Sequence, residues 1–145
     1  MDISRDALSE YARAFVEKLP QEAGREAYVV GLKGELGAGK TTFVQEVARC
    51  LGVSASVTSP TFVIAQTYPT THPVFSRLVH IDAYRLEGEE KDTIGFAEFR
   101  KDPHTLILIE WPVHLPTGFP VGSPLLEFET VDENTRRITE HAAHA

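Results

Sequence analysis

The chain has 145 residues, the length of one ordinary domain, and we expect a single globular unit over residues 1–145. Its composition, with 42% hydrophobic and 24% charged residues, is normal for a water-soluble fold. No apolar run approaches the roughly 18 residues of a membrane helix, and the first residues lack a secretory signal, so we expect a cytoplasmic protein without membrane contact. The net charge of −7, with no basic cluster beyond Arg136–Arg137, argues against strong direct binding of nucleic acid.

The first third of the chain predicts a helix, a strand and a second helix. Residues 4–19 carry apolar side chains at helical spacing. YVVGLKG (28–34) is predicted as a buried strand, which enters a glycine-rich segment and then a helix over 41–51 that Gly52 ends. The single Cys50 excludes an internal disulfide, and we expect it to fill core space in this second helix.

Two strands are predicted in the middle of the chain, FVIAQTY (62–68) and RLVHIDAY (77–84). Eight residues separate them, whereas a parallel crossover needs about a dozen or more, so we expect them to pair antiparallel. In that arrangement Ser59–Thr61, just before the first strand, lies beside Asp82 at the end of the second.

The last third predicts one more helix and three strands. A short helix is expected within 88–102, long enough for a parallel crossover into TLILIE (105–110), which is apolar like a strand buried on both faces. LLEFETV (125–131) and TRRITEH (135–141) flank a turn and predict a terminal hairpin. The predicted fold is a three-layer α/β domain with a mixed, mainly parallel central sheet.

The segment GELGAGKT (Gly34–Thr41) matches the phosphate-binding P-loop pattern G-x-x-x-x-G-K-[ST] in full, between a strand and a helix. Glycines let the backbone wrap around a polyphosphate, and the helix that follows presents unpaired N–H groups. Lys40 adds a positive charge for the β and γ phosphates, and the Thr41 hydroxyl is suited to Mg²⁺. The sequence therefore predicts a P-loop NTPase-like domain that binds a nucleoside triphosphate with Mg²⁺.

Two carboxylates are candidates for the reaction, because the metal needs a second anionic anchor and the attacking water needs orienting. Asp82 and Glu110 each end an apolar strand that should run parallel to the P-loop strand, so both should reach the phosphate edge of the sheet. Either could instead be a solvated acid. His80, two residues before Asp82, either orients that residue or is a packed or solvated histidine.

Three further features bear on the ligand. Asp92–Gly95 matches the D-x-x-G of GTPases but follows a polar segment, so we interpret it as a helix cap, and no N-K-x-D motif indicates guanine. Ser59–Thr61 is either a loop that senses the γ-phosphate or a turn before a strand. Trp111 either stacks on a ligand or partner or packs in the fold.

Four motifs, GELGAGKTTF, TSPTF, HIDAYRL and LILIEWP, resemble in their order and spacing the TsaE (YjeE) family over roughly residues 28–112. That family consists of small bacterial ATPases required to form threonylcarbamoyladenosine at position 37 of tRNAs. The resemblance implies two protein partners, TsaD and TsaB, and an ATPase activity, weak in the isolated protein, that resets their complex.

The resemblance also implies roles for individual residues. Thr41 and Glu110 hold Mg²⁺, Asp82 is needed for hydrolysis, and Ser59–Thr61 behave as a switch-like loop. The residues that cradle ATP are Gly34, Glu35, Leu36, Gly37, Ala38, Gly39, Lys40, Thr41 and Thr42.

Two other functions are compatible with a P-loop. One is a small-molecule kinase, although such enzymes commonly surround the transferred group with lid arginines, in which the segment after the second strand is poor. The other is an interaction module in which the nucleotide only shapes a docking surface.

Overall fold

A computed structural model of the chain describes residues 2–34, 39–54, 65–82, 96–111 and 123–142. The strands are β1 (Asp2–Ser4), β2 (Tyr28–Gly34), β3 (Ala65–Pro69), β4 (Arg77–Asp82), β5 (Thr105–Trp111), β6 (Pro124–Thr130) and β7 (Thr135–Ala142). The helices are α1 (Leu8–Glu17), α2 (Lys40–Cys50) and α3 (Phe96–Arg100), with a 3₁₀ turn over Arg5–Ala7 before α1. Within these ranges no helix is long and apolar enough to cross a bilayer.

The seven strands form one sheet in the order β1-β7-β6-β2-β5-β4-β3. Its four central strands, β6, β2, β5 and β4, run parallel. β3 pairs antiparallel with β4, and β7 pairs antiparallel with both β6 and β1. The predicted mixed, mainly parallel sheet, the antiparallel middle pair and the C-terminal hairpin are therefore confirmed.

The central strands are apolar on both faces, which is why helices lie on both sides of the sheet. On one face Val30 and Leu32 join a large core that α1 and α2 cover. On the other face Val29 and its neighbours form a smaller core, and Phe99 of α3 packs against it. The described residues thus form the predicted three layers, and α2 covers the same face of the sheet as α1.

Aromatic rings join α1 and α2 to the sheet. Phe43 of α2 is fully buried, and its ring lies 5.9 Å from Tyr11, 5.3 Å from Phe15 and 5.5 Å from Phe128 of β6. Tilted and edge-on ring pairs at such distances stabilise a core beyond the area they bury. This cluster fixes the start of α2, and with it the end of the P-loop, against the sheet.

The N-terminal segment differs from the predicted helix over 4–19. Residues Asp2–Ser4 instead form β1, which pairs with β7, and Asp2 accepts a hydrogen bond from Arg137 Nε at 2.8 Å. The Ser4 hydroxyl oxygen accepts a hydrogen bond from the backbone N–H of Ala7 at 3.1 Å, so it caps the 3₁₀ turn and α1 begins only at Leu8. A three-residue strand formed by pairing with a distant segment leaves no periodicity to read.

Cys50 is exposed, so the prediction that it fills core space is wrong. The buried side of α2 carries Phe43, Val44, Val47 and Ala48. Cys50 lies off that stripe in the last turn, and the buried residue there is Leu51, which follows the helix.

A cavity of about 410 Å³ lies between α1 and the sheet. Tyr11 and Tyr28 both line it, and burial together with the negative charge of Glu140 raises the pKa of each hydroxyl, that of Tyr11 to about 12. The remaining lining residues are Ile3, Ala7, Glu10, Ala14, Phe15, Lys18, Leu19, Pro124 and Glu140.

Candidate functional site

The candidate site begins where β2 passes into α2. β2 ends at Gly34 and α2 starts at Lys40, with Gly39 as its N-cap in the left-handed conformation, φ 100°. No side chain among the described residues caps this helix. Its first-turn N–H groups and the positive end of its dipole are therefore directed to the loop, the arrangement that binds phosphate. The four residues between, Glu35, Leu36, Gly37 and Ala38, lie outside the described residues.

Lys40 is only 5% exposed, and its Nζ donates a hydrogen bond to the carbonyl oxygen of Gly34 at 2.5 Å. A buried ammonium needs polar partners, and one partner of Lys40 is the carbonyl oxygen of Gly34, the last residue of β2. The Lys40 ammonium is thus held close to the end of β2, where the motif predicts that a polyphosphate binds. Thr41 is half-buried and Thr42 exposed in the same first turn.

Gly34 is required by the sheet as well as by the loop. It pairs with Phe128 of β6, and a β carbon at this position would lie 2.5 Å from the Phe128 carbonyl oxygen. That distance is far inside van der Waals contact, and the obstructing atom is backbone in a strand. Glycine therefore lets β6 approach the exact end of β2 from which the loop departs.

Asp82 and Glu110 lie opposite one another in the parallel register of β4 and β5, and Glu110 lies opposite Leu32 of β2. The predicted parallel strands, ending at a common edge beside the P-loop, are therefore confirmed. The side chain of Asp82 is outside the described part of the chain. Glu110 is buried, with 7% of its surface exposed.

His80 pairs with Glu110, an arrangement that the sequence interpretation missed. Its Nε2 lies 2.5 Å from Oε2 of Glu110, and the imidazole is fully buried. Strand alternation places His80 on the same face of β4 as Asp82, and Leu108 on the same face of β5 as Glu110. The pair also needs the register that sets His80 opposite Leu108, and the sequence does not show that register. His80 is therefore not a solvated histidine, and its described polar contact is with Glu110.

The donors at this edge suit Mg²⁺. Magnesium prefers oxygen ligands and usually takes one or two carboxylates together with phosphates and water, so a dedicated cluster is not required. Among the described side chains no group of three His, Cys, Asp or Glu converges as a metal site. Among the described side chains, the hydroxyl of Thr41 and the carboxylate of Glu110 are hard oxygen donors that could hold such a cation.

Several predicted features lie outside what the structure describes. They are Ser59–Thr61, Asp92–Gly95, the side chain of Trp111, the first part of the strand predicted over 62–68 and the first part of the helix predicted within 88–102.

The comparison with protein families decides where this chain belongs. A family model described as "Threonylcarbamoyl adenosine biosynthesis protein TsaE" matches residues 4–138. The chain belongs to the TsaE family. The resemblance carried by the four sequence motifs is thereby confirmed.

Curated relatives named "tRNA threonylcarbamoyladenosine biosynthesis protein TsaE" agree with this assignment. The protein from Streptomyces coelicolor is 44% identical over 89 residues, which are 60% of this chain and 58% of that protein. The match thus spans less than two thirds of that relative. The protein from Bacillus subtilis is 32% identical over 124 residues, 86% of this chain and 75% of its own. The protein from Rickettsia prowazekii is 34% identical over 145 residues, 95% of this chain and 90% of its own.

A solved structure supports the fold of this TsaE family member. The crystal structure of Bacillus subtilis YdiB matches with a TM-score of 0.66 and 23% identity, over 100% of this chain and 86% of that one. The kinase alternative finds no support in any of these similarities.

Proposed function

We propose that this TsaE family member is a Mg²⁺-dependent ATPase, weak when isolated, that serves the machinery forming threonylcarbamoyladenosine at position 37 of tRNAs. Its partners in this proposal are TsaD and TsaB. The observation that carries it is the family match over residues 4–138, in a chain whose full P-loop motif stands at a strand–helix junction. The names of the curated relatives supply the pathway.

ATP binding is assigned to Gly34–Thr42, with Glu35, Leu36, Gly37 and Ala38 supplying the loop. The uncapped start of α2 supports this assignment, since its N–H groups favour an anion. The buried Lys40 ammonium supports it too, because a positive charge beside the Gly34 carbonyl is a ready partner for the β and γ phosphates. The absence of an N-K-x-D motif in the sequence favours ATP over GTP.

The catalytic roles are assigned to Asp82 and Glu110. In the proposal, Thr41 and Glu110 hold Mg²⁺, while Asp82 orients the attacking water. When bound, Mg²⁺ would neutralise part of the negative charge on the phosphate oxygens. The register that sets Asp82 opposite Glu110 supports a shared task for the two residues.

In this proposal the chain serves tRNA modification through its protein partners. The net charge of −7 disfavours a tight grip on a phosphate backbone, so we expect no strong direct binding of tRNA. Hydrolysis would then reset a complex with TsaD and TsaB, and would not itself transfer the threonylcarbamoyl group.

A pull-down tests the partnership. Purified TsaB and TsaD are presented to the chain carrying a label on Cys50, which is exposed in the last turn of α2, away from the P-loop junction. We expect association that depends on ATP, and a rate of phosphate release that changes when both partners are present. Absence of association with either protein, with or without ATP, would reject the proposed pathway.

A reconstituted tRNA modification assay tests whether hydrolysis matters. Asp82→Asn and Glu110→Gln are compared with the wild type under multiple turnovers. We expect both variants to slow repeated rounds of modification. Full activity in both would instead favour the interaction module, in which bound nucleotide only shapes a docking surface.

A further inference from the structure

His80 is a buried polar side chain on the face of β4 that contributes to the main core. It is 0% exposed, and the residue two before it, Leu78, and its register partner, Leu108, are fully buried core residues. Burying an imidazole among aliphatic side chains costs free energy unless its polar atoms are satisfied. An apolar residue would fill this position at a lower cost in free energy. Packing alone therefore does not explain a histidine here.

The contact that His80 makes is with the carboxylate assigned to the metal. Nε2 of His80 lies 2.5 Å from Oε2 of Glu110, and Glu110 has no other side-chain polar partner among the described residues. The last torsion of a glutamate is broad, so a carboxylate without such a partner would sample many orientations. The hydrogen bond from a buried, packed ring restricts it to few.

The other ring nitrogen shows which atom carries the proton. Nδ1 of His80 is buried and has no hydrogen-bond partner among the described residues. A proton there would be a buried donor without an acceptor, which is unfavourable. The hydrogen-bond pattern therefore favours the tautomer with its proton on Nε2, where it donates to Oε2 of Glu110.

We infer that His80 is a positioning residue for the cation site. Its Nε2–H holds one oxygen of Glu110, so that the carboxylate is oriented before the cation and nucleotide arrive. The inference rests on the proposed role of Glu110 as a ligand of Mg²⁺. Loss of a hydrogen bond that orients a metal ligand typically weakens metal binding by about 10- to 100-fold.

Two amide substitutions at position 80 test whether the hydrogen bond to Glu110 matters, or only the polarity of the side chain. A glutamine amide nitrogen reaches the position of Nε2, whereas an asparagine amide nitrogen reaches only that of Nδ1. His80→Gln should therefore keep the bond to Glu110 and His80→Asn should lose it. His80→Leu removes the bond while filling the core, and gives a folded comparison if the asparagine variant unfolds.

The probe is Mn²⁺, whose free and bound forms are distinguished by electron paramagnetic resonance in the presence of a non-hydrolysable ATP analogue. We expect His80→Asn and His80→Leu to weaken Mn²⁺ binding about tenfold or more, and His80→Gln to stay within about threefold of the wild type. Binding of the analogue in EDTA should be the same in all of them. Val79→Ala, on the opposite face of β4, should lower thermal stability without changing Mn²⁺ binding.

The outcomes separate this inference from the function on which it rests. If Glu110→Gln weakens Mn²⁺ binding while folded His80→Leu does not, His80 has only a packing role and the inference is wrong. A His80→Gln variant that loses as much affinity as His80→Leu has the same consequence. If Glu110→Gln itself leaves Mn²⁺ binding unchanged, the ligand role of Glu110 fails, and the role of His80 fails with it.

Discussion

Asp82 and Glu110 occupy opposed positions on β4 and β5, each the neighbour of the other across the parallel register. Glu110 is at the same time level with Leu32, two residues before β2 ends at Gly34. Two acidic residues and the start of the P-loop therefore share one edge of the sheet. Because the strands are held by buried cores on both faces, this proximity is a property of the fold.

Neutralising Asp82 and neutralising Glu110 should impair ATP hydrolysis in different ways. We expect Glu110→Gln to raise the Mg²⁺ concentration needed for half-maximal ATP hydrolysis, because it removes a metal ligand. Asp82→Asn should lower kcat at saturating Mg²⁺ by about 10²–10³, the usual cost of losing one preorganised polar group at a reacting centre. Phosphate release measured over a Mg²⁺ titration distinguishes the two effects.

A surface carboxylate provides the control for these variants. Glu46 lies on α2 and pairs with Arg49, an exposed contact that contributes little. Glu46→Gln should therefore leave both the Mg²⁺ dependence and kcat unchanged. Equal loss of activity in all three variants would point to a general effect of charge and against distinct roles.

Removing the Lys40 ammonium should weaken nucleotide binding. Hydrogen bonds to charged groups contribute about 1.5–3 kcal/mol, so Lys40→Met should reduce ATP affinity roughly 10- to 150-fold. The matched control is Lys33→Met, since Lys33 is also on the P-loop strand but forms a partly exposed pair with Glu127 at 3.6 Å. Titration with a fluorescent ATP analogue gives both affinities, and equal affinities would contradict the phosphate role of Lys40.

Much of this fold follows from local pattern. Strand β2 begins at Tyr28 and ends at Gly34 as predicted, because its apolar run ends at the glycine-rich loop. The antiparallel pairing of β3 and β4 was predictable from an eight-residue connection that is too short for a crossover. Asp82 and Glu110 could be placed at one edge because each stands at the end of an apolar strand.

What could not be predicted depends on distant partners. β1 is a strand only because β7, more than 130 residues later, supplies hydrogen bonds to Asp2–Ser4. The pairing of His80 with Glu110 needs the exact stagger of β4 on β5, which no single-strand pattern contains. Cys50 was wrongly predicted to be buried, because a one-residue shift in helical phase moves a side chain from core to surface.

Gly34→Ala should destabilise the fold even without nucleotide. The new methyl group would meet the Phe128 carbonyl oxygen at 2.5 Å, and β2 and β6 would have to separate to relieve the overlap. Overpacking of this kind costs about 1–3 kcal/mol, which for a chain of this size lowers Tm by roughly 3–12 °C. Thermal unfolding followed by circular dichroism measures the change.

Gly24→Ala is the matched control for that substitution, because the nearest heavy atom to its added β carbon is 4.0 Å away. We expect its stability to remain within about 0.5 kcal/mol of the wild type. A Gly34→Ala variant as stable as Gly24→Ala would show that β6 accommodates the methyl group. The glycine would then be required only by the loop.

The burial of Tyr11, which lines the cavity between α1 and the sheet, predicts that the protein loses stability at high pH. Burial, and to a smaller extent the charge of Glu140, raises the pKa of Tyr11 from 10.0 to about 12 in the folded protein. The stabilising contribution of this neutral hydroxyl is complete below pH 10 and is lost as the pH rises toward 12, because the unfolded chain releases its proton first. Urea unfolding at a series of pH values should therefore show a falling midpoint across this window.

Tyr11→Phe should remove part of that pH dependence. The part that remains is expected from Tyr28, whose pKa is raised by the same causes. Glu140→Gln should lower the pKa of Tyr11 only modestly, since burial is the first cause of the shift and the carboxylate the second. Absorbance at the wavelength of tyrosinate follows the titration directly, and a Tyr11 that ionises like a free tyrosine would mean that α1 does not bury its ring.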